Sequence, residues 1–154
     1  MTKNLLYLDF GELFNENIDD IFSQNTLPKL KTLKFGYEFN KKIDSLKYLS
    51  DSLEQLYFGY KFNEDINPIK NLKKLELLSL SYEFNQRDII LDLHTQGYLQ
   101  NLKKLFLEGI HSNDNENLII YRDELDYYYN EYKIPNVNIE YHYSIKCTLL
   151  NNIK

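Results

Sequence analysis

The sequence predicts an α/β repeat fold: short parallel strands laid side by side, one per repeat, with irregular returns and a C-terminal cap of one helix and one strand. Three observations carry this. Four segments align without gaps, Leu5–Asn15 (LLYLDFGELFN), Leu30–Asn40 (LKTLKFGYEFN), Leu53–Asn63 (LEQLYFGYKFN) and Leu75–Asn85 (LELLSLSYEFN), and their starts differ by 25, 23 and 22 residues. Within them apolar residues alternate with polar ones, as in Leu33 and Phe35, Leu56 and Phe58, or Leu78 and Leu80, the period-two pattern of a strand with one buried face. The 154 residues include 26 Leu, 14 Ile, 14 Tyr, 9 Phe and 18 Asn, but no Ala, no Trp and a single Val. Helix bundles lean on Ala and open sheets on Val, so this composition suits a repeated unit with fixed places for Leu, Phe and Asn.

Each unit opens with L-x-x-L-x-(F/L), the strand. Gly11, Gly36 and Gly59, with Ser81 in register, follow at a turn that needs either a positive φ or tight packing. Phe-Asn comes next, and beyond it apolar residues recur every three positions: Ile18 and Ile21; Ile43, Leu46 and Leu49; Ile66, Ile69 and Leu72. That spacing predicts one or two turns of 3₁₀-like helix on the far side of each unit. Pro28 and Pro68 fall in these returns, where a missing N–H is tolerated.

Beyond the fourth unit the frame decays. A fifth segment, Leu102–Ser112 (LKKLFLEGIHS), keeps the first half and loses Phe-Asn; a sixth, Ile134–Tyr143, keeps only the spacing of Ile134, Val137 and Ile139. Residues 113–118 (NDNENL) are a polar break. The segment 118–132 then places apolar or aromatic residues at 118, 121, 125, 128, 129 and 132, one face of a helix, with Pro135 soon after. Repeats are therefore expected over residues 1–112 and a cap over 113–154, with a helix at about 118–132, a strand at about 134–143 and a tail at 144–154. No comparable cap precedes Leu5, so the first strand is expected to present an open edge.

A period of 22 to 25 residues is too short for two-helix repeats and falls in the leucine-rich-repeat range. The motif F-N-x-x-I after L-x-x-L-x-F-G, as in Phe14-Asn15-Glu16-Asn17-Ile18, Phe39-Asn40-Lys41-Lys42-Ile43 and Phe62-Asn63-Glu64-Asp65-Ile66, resembles the FNIP repeat. That repeat is a divergent leucine-rich repeat abundant in social amoebae and in giant viruses that infect amoebae. Phe84-Asn85 is followed by Ile89, one residue late, and the family's Pro before the Ile is absent throughout. The resemblance spans residues 5–110 and implies a right-handed solenoid that binds a protein partner on its concave strand face. Many relatives carry an F-box before the repeats, which implies recruitment to ubiquitin ligases. Here the first repeat starts at Leu5 and no F-box is expected.

Stacking turns equivalent positions into columns. Phe10, Phe35, Phe58, Leu80 and Leu107, and likewise Phe14, Phe39, Phe62 and Phe84, are expected in the core. The Asn15, Asn40, Asn63, Asn85 row is expected to be structural, its amides satisfying turn backbone groups at a buried corner. The variable strand positions, Tyr7, Thr32, Gln55, Leu77 and Lys104 and then Asp9, Lys34, Tyr57, Ser79 and Phe106, face away from the core, with Tyr37, Tyr60 and Tyr82 as a further column. The expected binding site is Lys34, Tyr37, Gln55, Tyr57, Tyr60, Leu77, Tyr82, Lys104 and Phe106, because exposed rings on a rigid sheet make good interface anchors. Two readings compete with it: the rings pack only on each other across strands, or the N-terminal edge pairs with a second copy as a homodimer or assembly.

Other functions find less support. Eighteen basic against 23 acidic residues give a net charge of −5, which disfavours nucleic acid as a partner. The lone Cys147 cannot close an internal disulfide and points to a reducing compartment, the cytoplasm (a host's, for a viral chain). Asp9 interrupts the N-terminal apolar stretch before signal-peptide length, and no apolar run approaches the roughly 18 residues of a membrane span. His94, His111 and His142 lack short metal-ligand spacing, no cysteine joins them, and the carboxylates are dispersed. No enzyme activity, cofactor or metal is expected.

Overall fold

The computed structural model describes residues 3–81, 83–86, 88–109 and 138–143. The helix expected at 118–132, the tail at 144–154 and Tyr82 lie outside the described residues. Six strands form one open, all-parallel sheet in sequence order: β1 (Tyr7–Asp9), β2 (Thr32–Lys34), β3 (Gln55–Tyr57), β4 (Leu77–Leu80), β5 (Lys104–Gly109) and β6 (Asn138–Tyr143). Parallel neighbours require the chain to cross back between every pair of strands, and from β1 to β5 the repeats supply the return each time.

Register follows the frame. Leu8, Leu33, Leu56, Leu78, Leu105 and Ile139 stand abreast across the sheet. Leu33, Leu56, Leu78 and Leu105 form the expected buried row, none more than 1% exposed. A one-residue slip would turn all of them to the other face, so the leucines fix the register.

The second and third returns contain the expected 3₁₀ turns, at Asp44–Leu49 and Asn67–Asn71. They bury Ile43, Leu46 and Leu49, then Ile66, Ile69 and Leu72. Ser45 is buried in the first of these turns with its hydroxyl unbonded. Its equivalent 23 residues on is Pro68, which has no N–H to offer it. The first return is built from turns and bends and corrects the spacing-of-three reading. The N–H groups of Ile21 and Phe22 both donate to Ile18 O, at 3.0 and 3.1 Å, and Phe22 is the one that is buried while Ile21 is only half-buried.

The fourth return is a larger correction. An irregular connection was expected there, and the chain forms a helix, α1 (Asp88–Thr95). Leu75 and Leu102 are 27 residues apart, which gives the room, and Ile90 and Leu93 enter the core. Gly97 ends the helix at φ 89°, its N–H donating to His94 O and the N–H of Tyr98 to Leu93 O, a Schellman pairing that satisfies the last carbonyls.

Two columns of stacked phenyl rings fill the interior. Phe10, Phe35 and Phe58 follow one another at 5.3 and 5.5 Å between centroids, and Phe14, Phe39, Phe62 and Phe84 at 6.1, 6.1 and 6.2 Å. Within a unit the two rings stack at 4.2 Å (Phe10–Phe14), 3.9 Å (Phe35–Phe39) and 3.8 Å (Phe58–Phe62). Phe10 and Phe14 were expected to be core and are only half-buried. β1 is the edge of the sheet, and among the described residues nothing stacks beyond it.

Candidate functional site

Side chains alternate across a strand, so the face opposite the leucine row carries two rows of variable residues. One is Tyr7, Thr32, Gln55, Leu77 and Lys104; the other is Asp9, Lys34, Tyr57, Ser79 and Phe106. Gln55, Tyr57, Leu77 and Phe106 are half-buried, whereas Lys34 and Lys104 are exposed. Ser79 was placed on the outward face and is only 5% exposed. It is a small residue standing in register between Tyr57 and Phe106, whose larger side chains limit its access to water.

Asp9 organises the β1 end of this face. Its Oδ1 accepts the Gly11 N–H at 2.8 Å, and its Oδ2 accepts the Tyr7 hydroxyl at 3.2 Å and lies 3.4 Å from Lys34 Nζ. The Gly11 hydrogen bond, helped by Tyr7 and Lys34, holds the Asp9 carboxyl below the ordinary carboxylate range. A depressed value of this kind contributes stability above the unfolded carboxylate's pKa and loses it as pH falls through the folded one. Next along, the Tyr57 hydroxyl donates to Gln55 Oε1 at 3.2 Å. Lys34 and Gln55 are thus tied to neighbours on the same face, which reduces the ordering cost of any contact they make.

At the turn beyond the strands Tyr37 and Tyr60 stack at 4.8 Å with their planes 5° apart. Lys61 Nζ lies 5.7 Å from the Tyr37 ring centroid and 2.8 Å from Glu38 Oε2. The hydrogen bond to Glu38 is the main cause that raises the Lys61 ammonium above its usual pKa. Tyr37 is 43% exposed and Tyr60 half-buried, so the pair offers an amphipathic ledge beside the outward face.

The Asn row forms a ladder. Asn40 N–H donates to Asn15 Oδ1 at 2.9 Å, Asn63 N–H to Asn40 Oδ1 at 3.0 Å, and Asn85 N–H to Asn63 Oδ1 at 3.2 Å. The buried corner expected for it is absent: Asn15 and Asn63 are half-buried, and Asn40 and Asn85 are exposed. The preceding Phe fills the interior and the next residue turns outward. Asn63→Ala leaves the Asn85 N–H without its acceptor at a position water can reach, so the expected loss is about 0.5–1.5 kcal/mol. Urea unfolding measures it, and a wild-type midpoint would mean that the ladder adds no stability.

The sequence reading missed Asp9 as a hub, whose signal is an Asp two residues before a turn glycine. It also missed the ion pairs between units, Lys31–Glu54, Lys61–Glu38 and Lys103–Glu76, each at 2.8 Å, which the frame's second and ninth positions announce. Among the described residues no three His, Cys, Asp or Glu are grouped to hold a metal ion, and no helix is long and apolar enough to cross a membrane. Phenols, an amide, ammonium groups and apolar side chains on one sheet face are a chemistry of recognition. Comparison with protein-family models, with curated proteins and with solved structures gives no match.

Proposed function

We propose that this chain is a non-enzymatic protein-interaction module, a right-handed leucine-rich-repeat solenoid of the FNIP type that binds a partner protein on its concave strand face. The repeated frame and the in-order parallel sheet support the solenoid, and the strong preference of parallel crossovers supplies its hand. One observation carries the binding face: Tyr57, Leu77 and Phe106 lie on three adjacent strands, with Lys34 in register beside Tyr57 and Lys104 in register beside Leu77. A surface kept only for solubility has no reason to place those three together.

Through the FNIP resemblance, host proteins and ubiquitin-ligase components are the partner classes to test first. The lone cysteine makes the cytoplasm the proposed compartment. The experiment is capture from an amoebal lysate by the full chain and by a Tyr57→Ala, Phe106→Ala variant. Both rings are half-buried, so the variant is expected to lose on the order of 1 kcal/mol of stability per ring while captured partner falls about tenfold or more. A variant that loses most of its stability, or one that captures as much as wild type, refutes the assignment. Assembly of copies through the N-terminal edge is the second reading, favoured by the exposed β1. A monomer in light scattering at tens of micromolar counts against it.

A further inference from the structure

The first unit departs from the second, third and fourth at two positions of the frame. The second position holds Lys31, Glu54, Glu76 and Lys103 in later units, and the ninth holds Glu38, Lys61 and Glu83 in the second to fourth units, before the frame decays to Ile110 in the fifth. Most of these charges bridge neighbouring units. In the first unit the same positions are Leu6 and Leu13, which are 52% and 85% exposed. Neither enters the core, so stacking within the chain gives no reason for leucine at either place.

The backbone at this end is also unpaired. In later units the N–H groups of the second and third positions go to the unit before: Lys31 and Thr32 to Leu6 O, Glu54 and Gln55 to Lys31 O, Glu76 and Leu77 to Glu54 O. The ninth position does the same, Glu38 N–H donating to Glu12 O and Lys61 N–H to Tyr37 O. The corresponding N–H groups of Leu6, Tyr7 and Leu13 have no such acceptor among the described residues, because β1 is an edge strand.

Charge selects the occupant. From Leu5 to Asp20 the chain has Asp9, Glu12, Glu16, Asp19 and Asp20 and no Lys, Arg or His. All five carboxylates are exposed, and among the described residues only Asp9 is ion-paired, with Lys34. Two such ends brought together repel, whereas a basic partner is attracted. We propose that the β1 edge binds an extended basic segment of a partner protein by strand addition, its apolar side chains covering Leu6 and Leu13 and its Lys or Arg residues meeting Glu12 and Glu16. This surface is separate from the outward sheet face and does not depend on it.

The test is fluorescence anisotropy of the full chain with a labelled short peptide of alternating lysine and valine at low salt. Two control peptides are expected to bind about tenfold more weakly or worse: one with glutamate for lysine, and one with a central proline that cannot continue the ladder. A Leu6→Lys, Leu13→Lys variant, altered only at exposed positions, is expected to keep its melting temperature and lose affinity about tenfold. The Tyr57→Ala, Phe106→Ala variant is expected to bind the peptide as wild type does. Equal binding of the proline peptide reduces the attraction to charge alone and overturns strand addition. Unchanged affinity in the leucine variant overturns the location. A dimer in light scattering that the leucine variant dissolves shows a second copy on the edge and overturns the basic partner.

Discussion

Gly59→Ala is expected to cost about 3 kcal/mol or more, beyond the usual range for an added methyl group. A Cβ at Gly59 would lie 1.9 Å from Gly36 O, 2.3 Å from its carbonyl carbon and 2.8 Å from the Tyr37 amide nitrogen. At Gly36 the same atom would lie 2.0 Å from Gly11 O, 2.4 Å from its carbonyl carbon and 2.5 Å from Glu12 Cα. All of these are backbone atoms, which no rotamer change can move. To admit the methyl the units must part, and the bonds beside it stretch with them: Phe35 N–H to Tyr57 O at 2.9 Å, Lys61 N–H to Tyr37 O at 3.0 Å, and Asn63 N–H to Asn40 Oδ1 at 3.0 Å. Gly11 is the internal control. It has a φ of +74° and nothing within 4 Å of a Cβ, so Gly11→Ala meets only backbone strain, about 1–2 kcal/mol. Urea unfolding of the three variants should rank Gly59 and Gly36 together and Gly11 well below. If Gly11→Ala costs most, the glycine column serves positive φ and the close-approach explanation fails.

That column shows what repetition makes legible. The leucine row, the ring columns and the Asn row recur from unit to unit, and the 3₁₀ turn recurs in the second and third returns, so aligning the chain with itself places them. Features that occur once are hidden. Helix α1 depends on extra residues in a single return, and nothing in the three-residue spacing of the others announces it. Hydropathy does not say whether Ile21 or Phe22 turns inward, since both are apolar, and both N–H groups donate to Ile18 O. The half-burial of Phe10 and Phe14 depends on what stacks beside them, and column membership carries no information about that. Alternation puts Tyr57, Leu77 and Phe106 on the face opposite the leucine row, but the hydrogen bond that tethers Gln55 and the ion pair that tethers Lys34 depend on side chains from neighbouring positions and strands.

Phe62→Ala is expected to cost about 3–5 kcal/mol, a large share of the roughly 5–15 kcal/mol that holds a typical domain folded. The ring is fully buried and touches three others, Phe58 at 3.8 Å, Phe39 at 6.1 Å and Phe84 at 6.2 Å between centroids. Collapse into the space is blocked from both sides. Neighbouring units are held apart at the strand spacing by the ladder of β2, β3 and β4, and the Asn bonds at the next residue fix the turn. A cavity that cannot close retains its full cost. Phe14→Ala removes the same ring from the end of the same column, where it is already half exposed and has one column neighbour, Phe39. Its expected cost is about half as large, on the order of 2 kcal/mol, because water fills the space and less apolar area is lost. The two variants differ in position and not in chemistry, so the gap between their urea midpoints, at unchanged slope, measures how much the interior of the ring column is worth. Equal losses would place the stabilising contacts inside each unit, in pairs such as Phe10–Phe14 and Phe58–Phe62, and not in the stacking between units.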